Sequence, residues 1–357
     1  MTGMCYNDCV YNPKLTITPE INNYIAKIEA IRQKVKDSKI LPEQEIALRF
    51  RAAVDAVHSS TTIEGNPLNK NQVIQALRGT LNSWEKAVIE VRNYKKALDW
   101  IAKRITDKKE INLTDVLKLH SCVANNLLPK QKIGQLRTGP VYIVDIIGKK
   151  EIVKYIGPQA KNLQYLLHDL LDWLRENKTK LHPVLAAGIL HYEFVSIHPF
   201  SDGNGRVTRL LVKLFLDLLG YDFRGALVLD KFYLANQMSY YDSLHKAKHY
   251  EEQRKADLTS WLNFFARGFW EVCKDLEKEI SVVSMSSNKK VIRLSNEEVQ
   301  ILDFAKQFGQ ITSSDIADII KGSERTIQRR LKILIGKKLL IKKGQGKNIY
   351  YILKQNN

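Results

Sequence analysis

Residues 198 to 209 read His-Pro-Phe-Ser-Asp-Gly-Asn-Gly-Arg-Val-Thr-Arg, and their flanks leave this polar run one setting. Upstream, Ile189 to Ile197 contain no Gly or Pro and place Leu190, Phe194 and Ile197 at helical spacing. Downstream, Leu210 to Leu219 is nearly all apolar and is closed by Gly220. The sequence therefore predicts a short loop between two buried helices. Its last glycine and first arginine fall at the mouth of the second helix, where free N–H groups and the helix dipole favour anions.

The residue types in the loop suit a nucleotide. His198 can take a proton near neutral pH, and Asp202 can hold a metal ion. Gly203 and Gly205 let the backbone turn tightly and approach phosphate, with Asn204 as a further donor. Arg206 and Arg209, three residues apart, share a helix face and can neutralise phosphate charge.

The string His198-Pro199-Phe200-x-Asp202-Gly203-Asn204-Gly205-Arg206-x-x-Arg209 resembles, at every fixed position, the signature of the Fic family. That resemblance implies an all-helical fold whose best-known members transfer AMP from ATP to protein hydroxyls. His198 would then be the base that deprotonates the attacking hydroxyl. Asp202 would bind Mg²⁺ together with phosphates and waters, and Arg206 and Arg209 would reach the β- and γ-phosphates. Pro199 and Phe200 are expected to set the loop and pack beneath it.

Ser60-Thr61-Thr62-Ile63-Glu64-Gly65 ends a helical run whose stripe is Ile46, Phe50, Val54 and Val57. Spacing puts Ser60 and Glu64 on one face, and Gly65 and Pro67 stop the helix. The segment resembles the inhibitory motif of Fic proteins, in which the Glu pairs with the second motif arginine, here Arg209. Such a pair would occupy the group needed by the γ-phosphate.

Two β-rich runs, Val141–Val144 and Ile152–Ile156, flank a turn containing Gly148 and follow Gly134-Gln135-Leu136-Arg137-Thr138. In Fic proteins a hairpin at this place clamps an extended target backbone, so a target protein is expected on residues 141–156. Tyr240 and Tyr241 stand where the family lines its base pocket; one is expected to stack on the base and the other to enter the core. The family's Asn, seven residues beyond the second tyrosine, is replaced by Lys248, which leaves the base preference open.

The chain has 357 residues, 44% of them hydrophobic, and a net charge of +18. This composition indicates a globular protein of two or three domains. No run of eighteen apolar residues and no secretory signal is evident, so a cytoplasmic protein with no membrane contact is expected. The cysteines at 5, 9, 122 and 273 complete no zinc pattern and are expected to be free thiols.

Half of the charge excess lies in the last fifth of the chain, where residues 288–357 hold fifteen Lys or Arg against six Asp or Glu. Four serines between 281 and 288 read as a linker. Beyond it, helix starts at Ser295, Thr312 and Ser323 and two β runs around Gly344-Gln345-Gly346-Lys347 resemble a winged helix-turn-helix. Arg325, Arg329 and Lys347 would then be the candidate DNA contacts.

The expected fold class is mainly α: a Fic-type helical core with a small hairpin flap and a C-terminal winged helix. The expected division is a helical region 1–111 with an inhibitory helix, a catalytic core 112–280 and a winged helix 288–357. The expected function is an adenylyltransferase, dependent on ATP and Mg²⁺, acting on Ser, Thr or Tyr and restrained by Glu64. The alternatives are removal of AMP from a modified protein by the same site, or a DNA-binding regulator whose core senses nucleotide. The resemblance also raises pairing into a homodimer.

Overall fold

A computed structural model describes residues 10–81, 84–147, 150–285, 294–320, 323–346 and 349–354. Four helices come first: α1 (Pro19–Asp37), α2 (Pro42–Ile63), α3 (Lys70–Leu77) and α4 (Lys86–Arg104). Pro19 and Pro42 open α1 and α2 at positions whose N–H has no intrahelical acceptor, and Thr18 caps Ile21 at the head of α1. Helix α5 (Leu113–Ala124) starts from a reciprocal cap between Asn112 and Asp115.

Strands β1 (Tyr142–Ile147) and β2 (Lys150–Ile156) form the antiparallel hairpin, with an irregularity between Ile143 and Val144. Gly148, expected in its turn, lies outside the described residues. Helices α6 (Leu163–Asn177), α7 (Pro183–Ile197) and α8 (Asn204–Leu218) follow, so the loop joins α7 to α8 as expected.

Helix α7 is buried on nearly all sides because other helices surround it. It packs on α6, on α8 and on the long α12 (Thr259–Met285), whose approach requires Gly188. A Cβ at Gly188 would lie 2.8 Å from Leu262 Cδ2, and Trp261 Nε1 donates to the Gly188 carbonyl at 2.8 Å. Between α8 and α12 lie α9 (Asp230–Ala235), α10 (Gln237–Leu244) and α11 (Tyr250–Gln253).

One continuous apolar cluster runs from Tyr11 to Ile280. Packing therefore shows no break near residue 111; the N-terminal helices and the pair α7–α8 share a core. The chain also stays helical past the expected linker start, since α12 continues through Ser281 to Met285. Ser281 Oγ donates back to the Glu277 carbonyl at 2.8 Å, a bond that suits serine to a helix interior. Residues 286–293 lie outside the described residues.

The C-terminal unit comprises α13 (Asn296–Phe308), α14 (Ser313–Ile319), α15 (Glu324–Gly336) and the antiparallel strands β3 (Leu340–Lys343) and β4 (Tyr350–Leu353). Ser295 with Glu298 and Thr312 with Asp315 form the reciprocal caps of its first two helices. An isolated bridge joins Ile311 to Tyr351. Its own apolar cluster includes Leu302, Ile316, Leu331 and Tyr351, and takes in Ile46 from the first turns of α2.

Ile46 thus seats the C-terminal unit on the helical core. Ile46→Ala removes buried methylenes at that junction, a change that costs about 2 kcal/mol or more. Amide exchange along α13 should then quicken about tenfold or more, since opening there no longer breaks that packing. Unchanged protection of α13 would contradict the assignment.

Candidate active site

Helix α7 ends at His198, whose backbone is left-handed (φ 50°). Its imidazole Nδ1 lies 3.2 Å from the Val195 carbonyl oxygen, which can only accept. Nδ1 therefore carries the proton and Nε2 carries the lone pair. Burial pushes the His198 pKa below its ordinary value; the Val195 carbonyl, Glu64 and Asp202 oppose the shift, while Arg137 adds to it.

The loop is held by bonds that do not involve any ligand. Arg137, buried, gives Nε to the His198 carbonyl at 2.8 Å, Nη1 to Gly139 at 2.7 Å and Nη2 to Pro158 at 2.7 Å. Its own N–H donates to the Pro199 carbonyl at 2.9 Å. One guanidinium so ties the base of the hairpin to the loop. Tyr155 in β2 adds a bond from its hydroxyl to the Ser196 carbonyl, and the Lys248 carbonyl accepts from Ile156 N–H at 2.8 Å.

Asn204 differs from expectation. Its Oδ1 accepts from Phe200 N–H and its Nδ2 donates to the Phe200 carbonyl, both at 2.9 Å. With the side chain buried and both ends engaged, Asn204 closes the loop here instead of donating to an anion hole. Phe200 is fully buried beneath the loop and stacks on His120 with ring centroids 3.9 Å apart and planes 2° from parallel.

His120 was not singled out in the sequence, and nothing local marks it. Gly134 N–H donates to its Nδ1 at 2.9 Å, so Nε2–H is the end that meets the Asp202 carbonyl at 3.3 Å. The Gly134 bond needs neutral imidazole, and burial lowers the His120 pKa to about 4, although the Asp202 carbonyl opposes the shift.

Gly203 takes φ 80° to cap α8, and Asp202 Oδ1 accepts its N–H. The N–H groups of Asn204, Gly205 and Arg206 precede the first intrahelical bond, from Val207 N–H to the Gly203 carbonyl at 2.9 Å. N–H groups so placed suit an anion. Asp202 is half-exposed there and meets Arg206 Nη2 at 3.3 Å. Arg206 Nη1 lies 3.3 Å from Glu90 of α4, which also accepts from Asn66 Nδ2 at 2.7 Å.

Arg209 is 4% exposed and has partners on two sides. From α2, the Ser60 hydroxyl accepts Nε at 2.7 Å, the Ser60 carbonyl accepts Nη2 at 2.9 Å, and Glu64 Oε1 accepts Nη2 at 2.8 Å. From α9, Asp230 Oδ1 lies 3.2 Å from Nε. The Glu64 carboxylate rests against Gly205: a Cβ there would meet Glu64 Oε1 at 2.2 Å and Arg209 Nη1 at 3.1 Å. An anion thus already occupies the space over the helix mouth, and it comes from the chain itself.

The two tyrosines separate. Tyr240 is 2% exposed, stacked on Tyr233 at 4.6 Å and bonded to His191 at 2.9 Å, so it belongs to the core and is not open to a base. Tyr241 is 47% exposed and its hydroxyl reaches the Ile63 carbonyl at 3.5 Å, beside Glu64. On the hairpin, Tyr142, Ile143, Val144 and Ile152 are exposed. Far from the loop, Arg325 and Arg329 are exposed one turn apart on α15, while Arg330 pairs with Glu297 and Glu298. Lys347 lies outside the described residues, as do Cys5 and Cys9; Cys122 and Cys273 are free.

Among the described residues no cluster of three or more His, Cys, Asp or Glu is placed to hold a metal, and no helix is long and apolar enough to cross a membrane. Asp202 would therefore be a lone protein ligand. One carboxylate beside an anion seat fits a magnesium ion carried in on phosphates rather than a resident metal.

Fold and site together define a helical protein with a polar loop, a poised histidine and two arginines at one helix mouth. The Fic/DOC family model matches residues 110–216 of this chain. The chain is 30% identical to the protein adenylyltransferase Fic of Drosophila willistoni, over 60% of this chain and 45% of that protein. It is 32% identical to the same-named protein of Drosophila virilis over 46% of this chain and 33% of that one. The chain thus spans less than half the length of these curated relatives. Among solved structures, a Fic family protein from Desulfovibrio desulfuricans G20 superposes with a TM-score of 0.61 at 25% identity, covering 97% of this chain and 99% of that one. Fic-1 of C. elegans shares the fold with a TM-score of 0.58 at 24% identity, covering 75% and 74%.

The His120 pKa yields a stability prediction. Unfolded His120 binds a proton near pH 6.5 and folded His120 only near pH 4. Between those values the unfolded state holds more protons, so stability falls as pH drops. His120→Gln should therefore lose about 2 kcal/mol less than the parent in urea unfolding between pH 7 and pH 5. Equal losses would place His120 outside this balance.

Proposed function

We propose that the chain is a protein adenylyltransferase, transferring AMP from ATP to a Ser, Thr or Tyr hydroxyl of a target protein, and that Glu64 restrains it. The observation that carries this reading is the Glu64 carboxylate, held at 2.8 Å by Arg209 and set against Gly205 at the mouth of α8. A carboxylate seated there takes the room and the charge that a terminal phosphate needs. The printed names of the curated relatives support the reaction class.

The roles follow from position. His198 Nε2 takes the proton of the acceptor hydroxyl as its oxygen bonds to the α-phosphorus; the bond to the bridging oxygen breaks and pyrophosphate leaves. The N–H groups at the start of α8 and Arg206 cradle phosphate, and Arg209 takes the terminal phosphate once Glu64 withdraws. Asp202 would hold Mg²⁺, which when bound neutralises charge on the phosphates. Tyr241 offers its exposed ring to the base. The exposed apolar edge of β1 offers an extended target backbone a strand to pair with, so the acceptor hydroxyl arrives in a fixed pose.

Two outcomes check the reading. With labelled ATP and Mg²⁺, Glu64→Gly should label itself or an added lysate at least tenfold faster than the parent, and adding His198→Ala should abolish the signal. No gain from Glu64→Gly would refute the restraint, and labelling that survives His198→Ala would refute the base.

The pH dependence has a fixed sign. Only neutral His198 accepts a proton, and its pKa lies below the ordinary histidine value, so the acid limb of kcat/KM for Glu64→Gly should have its midpoint below pH 6.5. An acid limb centred above pH 7 would contradict the assigned environment.

A further inference from the structure

Arg209 needs more than Glu64 to hold its place. Its guanidinium is almost wholly buried, and a buried cation that loses its anion is left at a high free energy. Ser60 and Glu64 both belong to the end of α2, so a site that opened by dismissing Glu64 would leave Arg209 only the Ser60 oxygens there. Asp230 comes from a different element. It opens α9, which packs on α2 and α12 and is seated by Phe232 against Gly268. Its Oδ1 lies 3.2 Å from Arg209 Nε and 3.4 Å from the Tyr94 hydroxyl, and the Ser60 hydroxyl bonds it as well.

The two carboxylates meet different parts of the same side chain. Asp230 meets Nε, at the stem of the fork, whereas Glu64 meets Nη2 and lies against Gly205. We propose that Asp230 is a positioning residue for the transfer reaction, holding Arg209 by its stem so that the Nη edge stays aimed at the terminal phosphate after Glu64 has left. This rests on the adenylyltransferase reading and deepens it. Glu64 and the terminal phosphate would then exchange on a fixed receptor, and Arg209 would not have to be re-placed in each turnover.

Two measurements on the full chain decide it. In the Glu64→Gly background with Mg²⁺, calorimetry compares binding of α,β-methylene ATP, which lacks the cleavable link, with binding of AMP, which has no terminal phosphate. Adding Asp230→Asn should weaken the ATP analogue about tenfold and leave AMP within about twofold. Loss of both together, as expected if Asp230 only supports the fold, would overturn the proposal; so would loss of neither. The second measurement needs no nucleotide and no change at Asp230: in a crystal structure of Glu64→Gly, Arg209 Nε should remain beside Asp230, near the present 3.2 Å. A guanidinium turned away from Asp230 would overturn the proposal. Should Glu64→Gly bind no ATP analogue at all, the adenylyltransferase reading fails, while the crystal structure still decides whether Asp230 holds Arg209.

Discussion

The buried guanidinium of Arg209 is the point on which the site turns. A cation 4% exposed is tolerable only where anions and carbonyls replace its water, and α2 and α9 each supply part of that replacement. The requirement explains features that look unrelated in the chain. Glycine at position 205 leaves room for the Glu64 carboxylate, which lies where a Cβ would be. Ser60 must be small and polar because both its hydroxyl and its carbonyl face the same guanidinium. The same geometry makes one helix mouth an anion seat and fills it with the chain's own carboxylate.

Around this charged centre, the loop between α7 and α8 is fixed by groups of the protein itself. Asn204 closes the loop on Phe200, His120 stacks below Phe200 while bonding Asp202 and Gly134, and Arg137 joins the loop to the hairpin base. These bonds are buried or partly buried, and they give the loop's polar groups partners in place of lost water. His198 inherits its tautomer from the Val195 carbonyl. Its lone pair is thereby oriented before any substrate arrives.

Much of this was legible in the sequence, for physical reasons. The flanks of the loop are long apolar helices with Gly or Pro at their ends, and such elements announce their type and limits within a few residues. The pairing of Glu64 with Arg209 was legible only through a resemblance, because 145 residues separate the partners. Asp230, Glu90 and His120 carry no local mark at all; each is an ordinary polar residue on an amphipathic helix until the tertiary fold brings it to the loop. One choice stayed open in the sequence and one boundary went astray, for related reasons. Tyr240 and Tyr241 are adjacent in a helix, and only packing decides that the first enters the core and the second stays open. The serines after Ile280 suggested a linker, yet Ser281 bonds back along α12 and prolongs it.

Helix α2 joins the two cores. Ile46 near its start is part of the C-terminal cluster, and Glu64 at its end is eighteen residues on, about 27 Å along the axis. The flanks of Glu64 are both pinned: Ser60 to Arg209 on one side, and on the other Asn66, whose amide reaches Glu90 at 2.7 Å and the Ala87 carbonyl at 3.0 Å. Moving the helix end bodily would break all of these contacts at once. Turning the Glu64 side chain, about a third exposed, breaks the single bond to Nη2 and leaves the rest in place. Rotation of that one side chain is therefore the lower-energy way to uncover the mouth of α8, and it leaves Ser60 and Asp230 still beside the guanidinium.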